Sequence, residues 1–215
     1  MLRALAAEAI GAFALVFAGC GAIMVDAKTH ELGHVGVALT FGLVIMFGIY
    51  AVGHISGAHF NPGVTFAFAL TRNFPWSRTA FYWAAQVAGA LAAAGLLRAS
   101  LGDRADVGAT LPSGSQGQAF LWELVLTFFL MFVIMAVATD TRAVGEAAAI
   151  AIGGTIGLDA MVGGPITGAS MNPARSLAPA LVSGNLHALW LYVAAPLAGA
   201  ALGALAYQFV RGEQS

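Results

Sequence analysis

The sequence predicts an all-α membrane protein of six transmembrane helices plus two half-helices in inverted repeats. Three observations predict it. Hydrophobic residues make up 60% of the chain and charged residues 9%, with a mean hydropathy of +0.84, whereas a soluble domain carries about 25% charged residues. Six stretches are long enough to cross a bilayer, which takes roughly 20 apolar residues. Finally, one phrase occurs twice: Ile55-Ser56-Gly57-Ala58-His59-Phe60-Asn61-Pro62-Gly63-Val64-Thr65 and Ile166-Thr167-Gly168-Ala169-Ser170-Met171-Asn172-Pro173-Ala174-Arg175-Ser176. The two asparagines lie 111 positions apart in a chain of 215, so half of the chain reads as a duplicate of the other half. Interrupted apolar segments at matching places in two halves are where membrane proteins put a binding or permeation site.

The first span covers about residues 4–25. A signal peptide is the alternative, but Glu8 interrupts the apolar run and the tract is too long. The second covers 35–54. Residues 61–70 form a piece too short to span, ended by Thr71-Arg72-Asn73. The third span covers 79–99, and 101–118, with its Gly, Pro, Ser and Asp, is a loop. Spans four to six cover 119–139, 146–163 and 187–210. A second short piece, 172–182, ends at Ser183-Gly184-Asn185. Each short piece opens with Asn-Pro, a preferred N-cap followed by the residue favoured at the first helical position. The residues before each box, 56–60 and 167–171, should be extended, because residues preceding proline avoid the helical region. Residues 1–215 thus read as one integral membrane domain, with repeats of about 1–100 and 119–215 joined by the loop 101–118.

Three spans per half put the second half into the membrane from the opposite side. Arg3, Arg72, Arg78, Arg142 and Arg211 then share one side, against Lys28, Arg98 and Arg104, which favours a cytoplasmic N-terminus and an outer loop 101–118. An even number of spans returns the C-terminus to the cytoplasm. Net charge is −1 and the nine basic residues are scattered, so nucleic acid is not an expected partner. The partners are the lipid bilayer of the cell membrane and whatever passes through it. Cys20 is the only cysteine, which excludes an internal disulfide and a multi-thiolate metal site. His54 and His59 lack the spacing or helix faces of a metal pair, and no cofactor is expected. His30 and His34 in the outer loop, near Asp26 and Glu31, could form a pH-sensitive lid but read more simply as solvated.

Unwound backbone at membrane depth persists only where it is buried or lines a water path. Inverted half-helices enter from opposite faces, so their N-termini, each with about half a positive charge and unpaired N–H groups, can meet at the midplane. Asn61 and Asn172 would form that pore junction and offer amide donors. The carbonyls of Gly57, Ala58 and His59, and of Gly168, Ala169 and Ser170, would form a ladder of acceptors. A neutral hydrogen-bonding solute can exchange its hydration for such groups, whereas a cation meets a positive barrier. The bland alternative, two ordinary helix starts, suits one copy of the phrase but not two copies with matching flanks.

The boxes Asn61-Pro62-Gly63 and Asn172-Pro173-Ala174-Arg175-Ser176 resemble the paired Asn-Pro-Ala boxes of the aquaporin (major intrinsic protein) family, and the likeness runs the full length of the chain. The first box departs from the pattern by Gly63. The resemblance implies the aquaporin fold, a homotetramer with a pore in every protomer, and a channel, not an enzyme. Glu8 and Glu123, each near the start of a half, resemble the family's paired glutamates, which support the half-helix loops. A general acid/base role would need a nucleophile or a partner carboxylate, and none accompanies them. Arg175 falls at the outer mouth and is expected to be held by backbone carbonyls; a snorkelling arginine is the alternative.

Counting from the boxes places the family's four-residue selectivity filter at Phe41, Ala160, Ala169 and Arg175. A slip of one would substitute Asp159 for Ala160, but the run Gly164–Ser176 aligns without a gap. Water-selective members have a histidine where Ala160 stands, so this filter should be wider and more apolar. The run Gly164–Ser176 and Tyr192-Val193 resemble the plant nodulin-like branch and its bacterial relatives, which implies passage of glycerol, urea and metalloid acids such as arsenite, with water. Phe41 departs from that branch, and Ser176 and Ala180 depart from dedicated glycerol facilitators. A mainly water-selective pore is the alternative, and an ion-coupled secondary transporter or an adhesive protein with a closed pore are remoter ones. Asp159 reads either as a partner for Arg175 or a filter carbonyl, or as a polar group facing a subunit contact or water. Because Ala169 stands where some relatives carry a thiol, mercurials should inhibit weakly.

Overall fold

In the computed structural model, which describes residues 1–140 and 147–212, six long apolar helices and two short ones follow the expected order. They are α1 (Leu2–Thr29), α2 (Gly33–Ser56), α3 (Pro62–Leu70), α4 (Trp76–Leu101), α5 (Gln116–Thr139), α6 (Ala148–Thr167), α7 (Pro173–Ser183) and α8 (Leu191–Arg211). All but α3 and α7 are long and apolar enough to cross a membrane. Arg142, used above in the charge count, lies outside the described residues, as does the start of the expected fifth span at 146.

The pairing repeats between halves. Helix α1 packs on α2 and α4, α5 packs on α6 and α8, and α2 meets α6 across the middle. Little hydrophobic force joins helices in lipid, so close approach through small residues takes its place. At the seam, a methyl added to Gly42 would stand 2.6 Å from the Gly153 carbonyl, and one added to Gly153 would stand 2.6 Å from the Gly42 carbonyl. The outer pairs use the same device: a methyl at Gly89 of α4 would collide with the Ala9 carbonyl of α1, and one at Gly199 of α8 with the Leu124 carbonyl of α5.

Three expectations need correction. The stretches before the boxes are not extended: Gly57, Ala58 and Phe60 have φ of 87°, 49° and 48°, and Gly168, Ala169 and Met171 have 84°, 43° and 52°. Only the caps are extended, Asn61 at φ −151° and Asn172 at φ −150°. The proline rule governs just the residue directly before it, and the buried carboxylates described below dictate the rest. The fifth span does not stop at 163 but runs through Pro165 to Thr167, since an internal proline removes one hydrogen bond without ending a well-packed helix. The loop 101–118 is shorter than expected, because Ser115 caps α5 at Gln118 N (3.1 Å). It also turns inward: Ala105, Asp106 and Val107 are left-handed (φ 46°, 48° and 57°), and Val107 is completely buried.

Candidate functional site

Each half-helix starts with the cap its sequence predicts. Asn61 Oδ1 accepts from Gly63 N at 2.8 Å, and Asn172 Oδ1 accepts from Ala174 N at 3.0 Å and Arg175 N at 3.3 Å. The caps are also tied across the two halves. Asn61 Nδ2 donates to the Met171 carbonyl at 2.7 Å, and Asn172 Nδ2 donates to the Phe60 carbonyl at 2.9 Å. With the oxygen spent on the cap and one amide proton on the opposite loop, each asparagine retains one N–H, and both residues line a shared cavity. The reciprocal tie could not be read from spacing, because it joins residues 110 and 112 positions apart.

Behind each loop stands a fully buried carboxylate. Glu8 accepts from His59 N (2.9 Å), Phe60 N (2.7 Å) and Gln86 Nε2 (2.8 Å). Glu123 accepts from Ser170 N (2.8 Å), Met171 N (2.8 Å) and Thr167 Oγ1 (2.7 Å). One step earlier, Ser56 Oγ accepts from Ala58 N and Thr167 Oγ1 accepts from Ala169 N, both at 3.0 Å. A planar trans peptide points its C=O opposite to its N–H. Fastening three successive N–H groups at the back therefore turns the carbonyls of Gly57, Ala58 and His59 to the front, and likewise those of Gly168, Ala169 and Ser170. Among the described residues, no protein donor occupies these six carbonyls. Holding Ala58, Phe60, Ala169 and Met171 at positive φ costs about 1–3 kcal/mol each, and the carboxylate bonds offset it.

The cavity has a volume of ≈ 300 Å³. Apolar side chains of four spans, including Leu15, Ile45, Leu130, Ile134 and Ile152, form one wall. The other wall is polar: Gly57, Ala58 and His59 from one loop, Ser170 and Met171 from the other, then Asn61, Asn172 and Arg175. At one end lie Ala138 and Ala148, where α5 finishes and α6 begins; Phe41 and Arg175 stand toward the other.

Of the four expected filter residues, Phe41 and Arg175 line this cavity, and the guanidinium carbon sits 5.0 Å from the ring centroid. Ala160 and Ala169, 6% and 5% exposed, join Phe41 in the same apolar cluster but are not among the cavity's walls. Gly168, which stands against Thr110, is not among them either. Arg175, 1% exposed, donates from Nη1 to the Gly108 carbonyl at 2.8 Å, while Nε and Nη2 have no protein partner. Asp159 is also buried, at 6% exposed, makes no bond to Arg175 or to a filter carbonyl, and its Oδ2 has no partner. It lies one turn before Gly163, which faces Leu126 of α5, so it is neither a bonded partner of Arg175 or a filter carbonyl nor, being buried within the protomer, a group facing a subunit contact or water.

Sequence reasoning missed the residues that hold this frame from outside the boxes. Tyr82 Oη donates to the Ser56 carbonyl (2.9 Å) and Tyr192 Oη to the Thr167 carbonyl (2.7 Å), each closing the orphaned end of a helix. Tyr82 follows Asn61 by 21 residues and Tyr192 follows Asn172 by 20, a match that comparison of the halves could have found. The inner part of the loop carries no such signal. Ser170 Oγ spends its proton on the Asn172 carbonyl (2.9 Å), so Ser176 Oγ must donate to Ser170 (2.5 Å) and Thr110 Oγ1 to Ser176 (2.6 Å). This chain fastens the loop to the second box.

Two half-helices meeting over a cavity with one polar and one apolar wall, inside six membrane-crossing helices, define a membrane channel. The chain matches the Major intrinsic protein family over residues 1–207 and belongs to it. It is 50% identical to Aquaporin NIP1-1 of Oryza sativa subsp. japonica over 98% of this chain and 75% of that one. It is equally 50% identical to Nodulin-26 of Glycine max, over 98% and 78%. The X-ray structure of the aquaglyceroporin from Plasmodium falciparum superimposes with a TM-score of 0.86 at 25% identity, over 98% of this chain and 97% of that one. The protein is a multi-pass membrane channel, not an enzyme, through which water and small neutral solutes pass passively.

Proposed function

We propose that the channel conducts small uncharged solutes (glycerol, urea and metalloid acids such as arsenite) together with water, through a filter formed by Phe41, Ala160, Ala169 and Arg175. The observation that carries this reading is the pair of alanines buried in one cluster with Phe41. Neither brings a ring or a polar head to its filter position, so nothing larger than a methyl stands there to exclude a solute wider than water. The apolar wall suits carbon-bound hydrogens, and the free carbonyls and amides suit hydroxyl and amine groups. The relatedness to a structure described as an aquaglyceroporin supports the same reading. One observation favours a mainly water-selective pore: the Phe41 ring stands 5.0 Å from the Arg175 guanidinium, narrowing the passage along that direction.

Stopped-flow volume changes of proteoliposomes in water, glycerol, urea and arsenite gradients separate the two. Flux of all four above the lipid background is expected; water flux alone supports the alternative. Ala160→His should lower glycerol and metalloid flux by about tenfold, as an added ring fills an aperture, and lower water flux less. Equal loss for every solute removes the filter assignment.

The proposal extends to assembly and placement. The helices leave Leu39, Leu43 and Phe47 of α2 and Ile150, Leu158 and Val162 of α6 exposed, faces suited to lipid or to neighbouring subunits of a homotetramer with one pore in each. Both termini are assigned to the cytoplasmic side of the cell membrane on the arginine bias. Cross-linking in native membranes and protease accessibility of terminal tags test these two assignments.

A further inference from the structure

We propose that His34 is a positioning residue for the filter: through the Met161 carbonyl it sets where the Ala160 turn of α6 stands relative to α2. The inference rests on the assignment of Ala160 to the filter and arises from the proline inside α6.

In an α-helix the carbonyl of residue 161 would accept from the N–H of residue 165. Pro165 has none. A carbonyl that loses its helix donor takes another partner where one is in reach, so an acceptor opens next to Ala160. His34, in the first turn of α2, fills it with Nε2 2.7 Å from the Met161 oxygen. A carbonyl can only accept, so Nε2 carries the proton. The residue before the proline completes the arrangement. A methyl on Gly164 would lie 2.7 Å from His34 Cε1, so any larger residue at 164 would displace the ring from its present place against α6. The ring is itself held at a defined height, because Asp26 Oδ1 accepts from Leu32 N (3.1 Å) and Gly33 N (2.7 Å) and pins the corner before His34. Gly164 gives room, Pro165 frees the acceptor, and His34 supplies the donor.

Helices α2 and α6 carry Phe41 and Ala160, two of the four filter positions. Their seam packs closely at Gly42 and Gly153 and continues to Gly157, which lies against Ala38 and Gly42; beyond it, toward the filter end, the imidazole is the polar link between them among the described residues. Removing that link frees the outer turn of α6 to move away from Phe41 and leaves the inner seam intact. Because His34 is exposed, its substitution spares the buried packing.

The test compares glycerol-to-water permeability ratios of proteoliposomes containing the full-length wild type, His34→Ala, His34→Gln, Gly164→Ala and Ala160→His. Loss of one cross-helix hydrogen bond should raise the ratio by about threefold in His34→Ala. The glutamine amide, which can donate at a similar reach, should return it toward wild type. Gly164→Ala, which expels the ring, should match His34→Ala, and the double variant should add nothing further. Nitrogen-15 shifts of the His34 ring should report the Nε2–H tautomer. With Ala160→His discriminating between solutes, an unchanged ratio in His34→Ala, or an Nδ1–H tautomer, overturns the clasp. A silent Ala160→His overturns the filter reading and with it the clasp's target.

Discussion

Arg175 combines a fixed end with a free one. Its Nη1 is held by the Gly108 carbonyl, while Nε and Nη2 have no protein partner beside the lumen. A buried guanidinium retains its charge, so on the proposed filter assignment it opposes cations while offering donors to a passing oxygen. Arg175→Ala should remove both effects: urea and glycerol flux relative to water rises by about threefold, and a sodium leak appears in liposome flux assays. An unchanged leak would assign cation exclusion to the half-helix ends alone. The arginine was legible because it completes a motif. Its clamp was not, because Gly108 lies in a loop without periodicity, and its close packing on Cys20 joins parts of the chain far apart in sequence. Cys20 is 0% exposed, so mercurials added to proteoliposomes should leave at least about half of the water flux, since thiolate chemistry needs access. Strong block would require that the contact between Cys20 and Gly108 opens readily.

The half-helix and its loop are held by a carboxylate, and the two halves solve that problem with the same chemistry. Glu8 satisfies three donors and so does Glu123. Glu8→Gln keeps the shape but replaces one acceptor oxygen with a donor that faces another donor. An unsatisfied buried group of that kind costs about 2 kcal/mol, which should lower the thermal midpoint in detergent by roughly 4–8 °C for a chain of this size. A midpoint within 1–2 °C of wild type, roughly the shift of a loss under 1 kcal/mol, would mean that the loop keeps its shape without the ion. Boundaries of the short helices were legible from Asn-Pro, since cap and first-turn chemistry are local. The left-handed loop before each box was not, because its geometry is imposed by glutamates 51 and 47 residues away. Local preference for an extended chain yields there to the need of a buried charge for donors.

At the scale of the whole molecule, the question is whether two halves meeting over one cavity make a channel or an ion-coupled carrier, since inverted repeats build both. The duplicated phrase made the architecture legible, and membrane-grade composition made the spans legible; neither distinguishes a continuous path from an alternating one. The buried acids do. A coupling site must exchange its ion or proton during each cycle, yet Glu8 and Glu123 are each committed to three protein donors that shape the polar wall. Asp159 is the remaining candidate, with an unpartnered oxygen, but it is not among the cavity's walls. A carboxyl buried without a partner is a liability to stability more often than an asset. Asp159→Asn should therefore leave water and glycerol permeability within about twofold of wild type and hold or raise the thermal midpoint, because the amide cannot ionise at a site where burial disfavours a charge. In the same vesicles, imposing a proton or sodium gradient should change neither the rate nor the end point of solute flux. Loss of flux in Asp159→Asn together with gradient-driven accumulation would make the molecule a transporter built on a channel's frame.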